Sequence, residues 1–308
     1  MQAFAWHWAG QAGNTEGGTV LSKSRTPKVL VLSLLVIALA LSLTGCGAKD
    51  GTTGGETTST AGSSESVLDK VIASGKIKIA VFSDVPPMGF LDDKQELQGI
   101  DVDVAKEMAK ALGDVEIEFV STTNANRIPY LVSDKVDCVI ASFTMNAERR
   151  KVVEYSDAYF RGGAILVVNP GNPESAAIKS IADCSGKTIA VSKGSFNDEL
   201  ATKLVPDAKE IIRFDNVSDV YTALQSGKAD AVVEDVVLAG YVTKNQYPNL
   251  KVAGDPLSID TWGIGARRGD QLWLNWLDGF VFDLLSSGKM QEICAKYGVT
   301  YSPVNYVY

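Results

Sequence analysis

The feature that most constrains this chain is a strand-and-turn pattern that occurs twice. Residues 75–81 (GKIKIAV) and 186–191 (GKTIAV) each read as an apolar strand entered from a Gly-Lys turn. Residues 131–140 (LVSDKVDCVI) and 224–233 (LQSGKADAVV) each read as a helix end, a turn and a buried strand. The sequence therefore predicts two lobes whose sheets begin and end in the same way.

The segments between these landmarks have helical periodicity. Val104, Met108 and Leu112 recur on one face of a predicted helix over residues 101–112, and Ser218 is the predicted N-cap of a later helix. Strands that alternate with helices of this length favour an α/β fold with mainly parallel sheets. In such sheets, ligands bind beyond the carboxyl ends of the strands.

Polar side chains follow four of the predicted strands, which end at Val81, Ile140, Val191 and Val233. An arginine and hydroxyl groups come from the first half of the chain, and an acid comes from the second half. This combination complements a zwitterion. The candidate residues, in chain order, are Asp84, Ser142, Thr144, Arg149, Ser195 and Asp235.

Composition excludes several classes of function. The net charge is −8 and no Lys/Arg cluster is interleaved with aromatic residues, so we expect no nucleic-acid partner. His7 is the only histidine, which leaves no histidine-based nucleophile or imidazole metal site in the predicted mature chain. We therefore predict no catalytic residue, no metal and no cofactor.

The four cysteines show no metal-ligand spacing and no C-x-x-C pair. Cys138 lies in an apolar run and is expected to be a buried thiol. For Cys184 and Cys294, the sequence leaves a disulfide open.

The N-terminal region is typical of a targeting segment. Three positive charges over residues 23–28 precede an aliphatic run over residues 29–43, which suits the core of a signal peptide better than a membrane span. The run closes on LTGC, which resembles a bacterial lipobox with Cys46 as the lipidated residue. We predict a signal peptide over residues 1–45 and a lipidated, flexible tether over residues 46–66.

Residues 1–20 fit neither the signal peptide nor a folded domain, so they are an atypical extension. Our hypothesis is that translation begins near Val20 or Leu21.

The ordered motifs resemble a known family, the extracellular solute-binding proteins of family 3, which serve ABC importers of polar amino acids. The resemblance covers residues 67–298. The motifs that carry it are DVPP at residues 84–87, GIDVD at 99–103, ASFTMNAER at 141–149 and ADAVVED at 229–235.

The resemblance implies a two-lobed periplasmic-binding-protein fold of type II (Venus flytrap) with two hinge strands, near residues 164–168 and 263–266. Lobe 1 is then residues 67–161 with the return segment 262–308, and residues 162–261 form the hinge and lobe 2. The resemblance also implies a monomer that is not an enzyme. It would be lipid-anchored to the cell membrane, face the periplasm or cell exterior, close on an amino acid and deliver it to the permease subunits.

The resemblance also assigns roles. Arg149 pairs with the α-carboxylate, helped by Ser142 and Thr144, because a planar guanidinium matches a planar carboxylate. Asp235 receives the α-ammonium. The complete predicted ligand-binding set is Asp84, Arg127, Ser142, Phe143, Thr144, Arg149, Ser195 and Asp235.

In this family, the residues that face the side chain of the bound amino acid indicate which amino acid it is. Where family members that bind cationic or aromatic amino acids place two rings, this chain has Val85 and Asn124. Arg127 instead resembles the residue that meets the side-chain carboxylate in aspartate and glutamate binders, so an acidic ligand is predicted. Phe82 and Phe196 depart from that pattern, and glutamine, asparagine and cystine remain alternatives. A cyclohexadienyl dehydratase-like enzyme on the same fold is the rival from another class.

Overall fold

A computed structural model describes residues 65–303. The predicted signal peptide, Cys46 and nearly all of the predicted tether lie outside the described residues. The strands are β1 Lys76–Val81, β2 Asp84–Val85, β3 Gly89–Leu91, β4 Leu97–Gln98, β5 Glu116–Ser121, β6 Cys138–Val139, β7 Val153–Gly162, β8 Ala164–Val168, β9 Thr188–Ser192, β10 Glu210–Phe214, β11 Ala231–Asp235, β12 Lys251–Ala253 and β13 Asp260–Arg267. The helices are α1 Val67–Ser74, α2 Ile100–Ala111, α3 Arg127–Val132, α4 Pro173–Ala176, α5 Phe196–Leu204, α6 Val217–Gln225, α7 Val236–Asn245, α8 Gln271–Ser286 and α9 Lys289–Lys296.

Two five-stranded sheets organise these elements. The strand order is β5-β1-β6-β13-β7 in the first sheet and β10-β9-β11-β8-β12 in the second, with a small sheet β2-β3-β4 beside the first. The repeated sequence segments occupy equivalent places, since β1 and β9 each pair in parallel with two strands, one of which comes from the second repeated segment. The two predicted lobes thus each contain their own sheet.

The sheets are mixed, so the prediction of mainly parallel pairing is wrong. In the first sheet β13 runs antiparallel to both β6 and β7, and in the second β8 runs antiparallel to both β11 and β12. The exceptions are the two strands that follow a passage of the chain between the sheets. In a βαβ unit, the crossover helix makes the second strand parallel to the first. These two strands enter their sheets without a crossover helix, so they can run antiparallel.

The two passages between the sheets run side by side. The first is at Gly162, the last residue of β7, and Gly163, which lies between β7 and β8; the second lies just before Asp260. A Cβ atom on Gly163 would lie 2.4 Å from the carbonyl oxygen of Ser258, so only glycine permits this approach. The predicted hinge segments, residues 164–168 and 263–266, lie within β8 and β13, directly after these passages.

The helix predictions hold with shifted ends. Helix α2 buries Val104 and Met108 on the predicted face, and it runs one residue earlier at both ends than predicted. Helix α6 has Asn216 at its N-cap position, so the assignment of Ser218 is wrong and Ser218 lies in the first turn. None of the described helices is both long and apolar enough to cross a membrane.

The three cysteines of the described region are free and buried. Cys184 packs in the apolar cluster around β8, β9 and β11, whereas Cys294, on α9, belongs to the other cluster. The disulfide left open between them is therefore excluded. Cys138 is a buried core thiol, as predicted.

Candidate functional site

A cleft lies between the lobes, beyond the carboxyl ends of β1, β6, β9 and β11. This is the position that the sequence predicted for a ligand site. Its lining residues are Phe82, Val85, Met88, Asn124, Arg127, Ser142, Thr144, Ser195, Phe196, Asn197, Val217, Glu234, Asp235, Leu238, Asp260 and Trp262. Residues 65–303 contain no cluster of His, Cys, Asp or Glu side chains that could hold a metal ion.

Arg127 forms a buried cationic part of the cleft wall. Its Nε donates to the carbonyl oxygen of Asn124 at 3.2 Å, and Nη1 donates to those of Ala141 at 2.9 Å and Ser142 at 3.0 Å. The guanidinium carbon lies 4.6 Å from the ring centroid of Phe143. Burial, and then the nearby charge of Arg149, lower the pKa of Arg127 to about 9.

Three features of Arg127 set it apart. The residue is only 2% exposed, and no carboxylate within the described region forms an ion pair with it. Its Nη2 has no hydrogen-bond partner among residues 65–303. The carboxylates of Asp101 and Glu199 interact with Arg127 electrostatically but form no ion pair with it, so the free Nη2 can receive an anion directly.

Arg149 reaches from the first lobe to the second. Its Nη1 donates to the carbonyl oxygen of Thr144 at 3.1 Å, and Nη2 donates to Glu199 Oε1 at 2.8 Å and to the carbonyl oxygen of Gly194 at 3.3 Å. The residue is buried, but it is not part of the wall around the empty space. These bonds leave Nε and one Nη1 hydrogen for a further acceptor.

The loop after β6 is held from below by a buried acid. Asp101 Oδ2 accepts from the backbone N–H of Ser142 at 2.8 Å, and Asp101 Oδ1 accepts from the Tyr159 hydroxyl at 2.7 Å. Ser142 has φ of 43°, a left-handed conformation that a serine adopts only when its surroundings hold it. Burial raises the pKa of Asp101 to about 6.

Thr144 lines the cleft on the first lobe, and Phe143 lies behind it. Thr144 Oγ1 donates to Asp260 Oδ2 at 2.9 Å, and Asp260 also accepts from the indole nitrogen of Trp262 at 3.2 Å. Phe143 is buried, and its ring lies near both guanidinium groups. It therefore supports the two arginines and does not line the cleft.

The second lobe contributes Ser195 and Asp235 as helix caps. Ser195 Oγ accepts from the N–H of Asp198 at the start of α5, and Asp235 Oδ1 accepts from the N–H of Val237 at the start of α7. Asp235 Oδ2 accepts from the N–H of Gly163 at 3.1 Å, which ties the acid to the passage between the sheets. Burial, and then the charge of Asp260, raise the pKa of Asp235 to about 7.

Direct contacts hold the lobes together around the cleft. Asn146 Nδ2 donates to Glu199 Oε2 at 3.0 Å, beside the ion pair of Glu199 with Arg149. The backbone N–H of Val217 donates to Asp84 Oδ2 at 3.1 Å. Asp84 is therefore a contact between the lobes and not a part of the cleft wall.

Sequence reasoning missed three acids, namely Glu199, Glu234 and Asp260. Glu234 and Asp260 line the cleft, and Glu199 holds Arg149. Glu234 adjoins Asp235 in the ADAVVED motif, so its position in the sequence was an available signal. Nothing in the sequence pattern marks the other two, because their roles depend on how the lobes meet.

The comparison with known proteins identifies the family. The profile of the bacterial extracellular solute-binding proteins, family 3, matches residues 77–300. The chain belongs to this family. The predicted family and the two-lobed α/β fold are therefore confirmed.

Individual family members are similar over most of their length. The ABC transporter glutamine-binding protein GlnH of Bacillus subtilis is 29% identical, over 88% of this chain and 97% of its own. The glutamine-binding protein of Geobacillus stearothermophilus is 31% identical, over 78% of this chain and 92% of its own. A solved structure of a mutant of ArgBP from T. maritima superposes with a TM-score of 0.70 at 35% identity, covering 75% of this chain and 99% of that chain.

Other family members differ in the ligand for which they are named. They include a glutamate/aspartate import solute-binding protein of Escherichia coli, 28% identical, and its L-cystine-binding protein TcyJ, also 28% identical. A crystal structure described as an ancestral amino acid-binding protein, a precursor of cyclohexadienyl dehydratase, is 32% identical. Family membership alone thus leaves the ligand open.

Proposed function

We propose that this chain is the extracytoplasmic substrate-binding lipoprotein of an ABC importer, and that it captures aspartate or glutamate by closure of its two lobes. Relatives that carry importer and amino-acid-binding names support the coarser part of this proposal. The charges around the cleft support the finer part.

The groups that complement an α-amino acid lie on opposite lobes. Arg149 and Thr144 belong to the first lobe. Arg149 lies behind the cleft wall, and two of its N–H groups have no acceptor among the described residues, so they would receive an α-carboxylate that reaches them. Asp235 belongs to the second lobe, with Asp260 close enough to raise its pKa. An α-ammonium between these two acids would favour their ionised forms and compensate their buried charge.

The surroundings of Arg127 are the observation that best supports an acidic ligand. It is a buried guanidinium on the cleft wall, without a carboxylate partner in the described structure and with both hydrogens of Nη2 uncommitted. A side-chain carboxylate would supply a direct ion-pair partner through charge-assisted hydrogen bonds. A cationic side chain would meet a like charge at the same place.

Isothermal titration calorimetry on the wild-type protein and on Arg127→Gln tests this assignment. A hydrogen bond to a charged group contributes about 1.5–3 kcal/mol, so we expect affinity for aspartate and glutamate to fall by about 10- to 150-fold. Any weaker affinity of the wild type for glutamine should fall much less. Because Arg127 also holds three carbonyl groups, the melting temperature of the variant must be measured alongside.

Arg150→Gln is the matched control, because Arg150 is an exposed arginine on the same lobe. It should leave all affinities unchanged. If Arg127→Gln remains folded and binds aspartate and glutamate as tightly as the wild type does, the acidic assignment is wrong.

Glutamine is the second candidate ligand. Two relatives at 29% and 31% identity are named for glutamine binding, and Asp235 and Asp260 give the cleft an acidic character that a neutral side chain tolerates better. The amide oxygen of glutamine can accept from Arg127, but it brings no counter-charge. Wild-type affinities for glutamine and glutamate, measured side by side, decide between the two ligands.

The membrane anchor is part of the proposal and lies outside the described residues. Lipidation of Cys46 would hold the domain at the membrane surface on its tether, within reach of the permease. Cys46→Ser should release the protein from the membrane fraction into the soluble extracytoplasmic fraction. Retention of this variant at the membrane would contradict the anchor.

A further inference from the structure

Glu234 has an asymmetric carboxyl group on the wall of the cleft. It lies near the end of β11 and is 4% exposed. Its Oε1 accepts two hydrogen bonds, from the backbone N–H of Asp235 at 2.9 Å and from Asn197 Nδ2 at 3.1 Å. Its Oε2 is buried and has no hydrogen-bond partner in the described part of the chain. One oxygen is thus saturated with donors while the other has none.

The surroundings of Glu234 favour its neutral form. The neighbouring acids are Asp235 on the same strand and Asp84 from the first lobe, and Tyr221 of α6 also lies close enough to interact with it electrostatically. The α5 helix presents the uncharged amide of Asn197, and no lysine or arginine of residues 65–303 pairs with Glu234. A protonated carboxyl carries its hydrogen on the oxygen that does not accept, which here is Oε2.

The same surroundings move the titration of this group into an accessible range. Burial is the largest influence, and the charges of Asp235 and Asp84 add to it, against the two hydrogen bonds on Oε1. Together they raise the pKa of Glu234 to about 8. At neutral pH the group therefore keeps its proton, and Glu234 lies among the residues that line the cleft.

We propose that Glu234 is a specificity-determining residue that donates its Oε2 proton to a side-chain oxygen of the bound amino acid. The inference rests on the proposed function and deepens it, since it names the group on the second lobe that recognises the acidic side chain. Arg127 on the first lobe and Glu234 on the second then give that side chain a donor from each lobe. Recognition of the side chain is thereby linked to closure.

This role makes binding depend on pH in a defined direction. An acidic ligand requires the protonated form, and ionisation above pH 8 replaces a donor with a like charge. With a pKa of about 8, the donor is almost fully present at pH 7 and about 10% present at pH 9, so affinity falls about tenfold. Glu234→Gln retains an acceptor for Asp235 and Asn197 and carries a permanent N–H donor in place of the Oε2 proton. The variant cannot lose its donor as pH rises.

Calorimetry of the full chain and of Glu234→Gln with L-aspartate and L-glutamate at pH 6, 7, 8 and 9 tests the inference. The measured quantity is the ratio of the dissociation constants of the wild type and the variant for the same ligand at each pH. Asp235, Asp260, Arg127 and the ligand amine titrate in both proteins, so their effects cancel in this ratio. We expect the two affinities to agree within about threefold at pH 6 and 7. The wild type should then weaken about tenfold relative to the variant by pH 9.

Two results would overturn this role. A loss of about tenfold or more in Glu234→Gln already at pH 6 would mean that the site needs a carboxylate acceptor, and a ratio that stays flat to pH 9 would mean that no proton is donated. Both leave the proposed ligand intact, because the wild type still binds it. If the wild type binds neither aspartate nor glutamate at any pH, the proposed ligand and this inference both fail.

Discussion

The contact between Glu199 and Arg149 makes closure and ligand binding depend on each other. Glu199 extends from α5 of the second lobe and accepts from Arg149 Nη2 at 2.8 Å and from Asn146 Nδ2 at 3.0 Å, both on the first lobe. The Arg149 side chain is 6% exposed and that of Glu199 is 48% exposed. We predict that Glu199→Ala lowers ligand affinity because it removes this link from the closed form.

The size of the effect follows from the burial of the pair. A fully exposed ion pair contributes about 0.2–1 kcal/mol, and a hydrogen bond to a charged group contributes about 1.5–3 kcal/mol. With one partner buried and the other half exposed, we expect a loss of about 1 kcal/mol, or about fivefold in the dissociation constant. Most of this loss should appear as faster ligand dissociation, since the contact forms after encounter.

Stopped-flow dissociation and calorimetry on Glu199→Ala measure both quantities. Glu107→Ala is the matched control. Like Glu199, Glu107 is a helical acid in an ion pair, but its partner is Lys110 and that pair lies within one lobe. The control should leave the dissociation rate unchanged. An unchanged affinity in Glu199→Ala would mean that the link does not stabilise the closed form. A higher affinity would mean that Glu199 competes with the ligand for Arg149. Either result would refute the prediction.

Two further predictions concern lobe contact and the thiols. A Cβ on Gly194 would lie 2.9 Å from Ala125 Cα, whereas one on Gly186 would meet nothing within 4 Å, and both glycines have similar positive φ. Gly194→Ala should therefore bind ligand more weakly than Gly186→Ala, which carries the same backbone strain. Small-angle scattering should also show that Gly194→Ala remains more open in the presence of ligand. Equal behaviour of the two variants would contradict the contact. Burial raises the pKa of the thiols of Cys138, Cys184 and Cys294, so none should react with a thiol reagent before the domain unfolds. Rapid modification of any of them in the native protein would contradict the packing.

The parts of the fold that follow from local pattern were predictable. The β1 and β9 strands lie where a Gly-Lys turn precedes an apolar run, and the cleft lies beyond the strand ends, as parallel pairing requires. The direction of β8 and β13 was not predictable in this way. It depends on the two passages between the lobes, and strand periodicity carries no information about direction.

The residues of the site also fall into a group that the sequence predicted and a group that it did not. Arg127, Arg149 and Asp235 were found from motifs and lie at or beside the cleft. Glu199 and Asp260 escaped because each acts on a partner more than 45 residues away, through contacts that exist only in the folded chain. A solvated charge is the ordinary expectation for an isolated acid in a sequence, and only the fold distinguishes these two from that expectation.

The most direct test of the account is a thermal-shift screen of the purified full chain, stripped of carried-over ligand, against the common amino acids. A ligand that binds only the folded state raises the melting temperature by mass action. We predict the largest upward shift with aspartate or glutamate, a smaller one with glutamine, and none with arginine or lysine. No shift with any amino acid would contradict the central claim that the cleft is an amino-acid site.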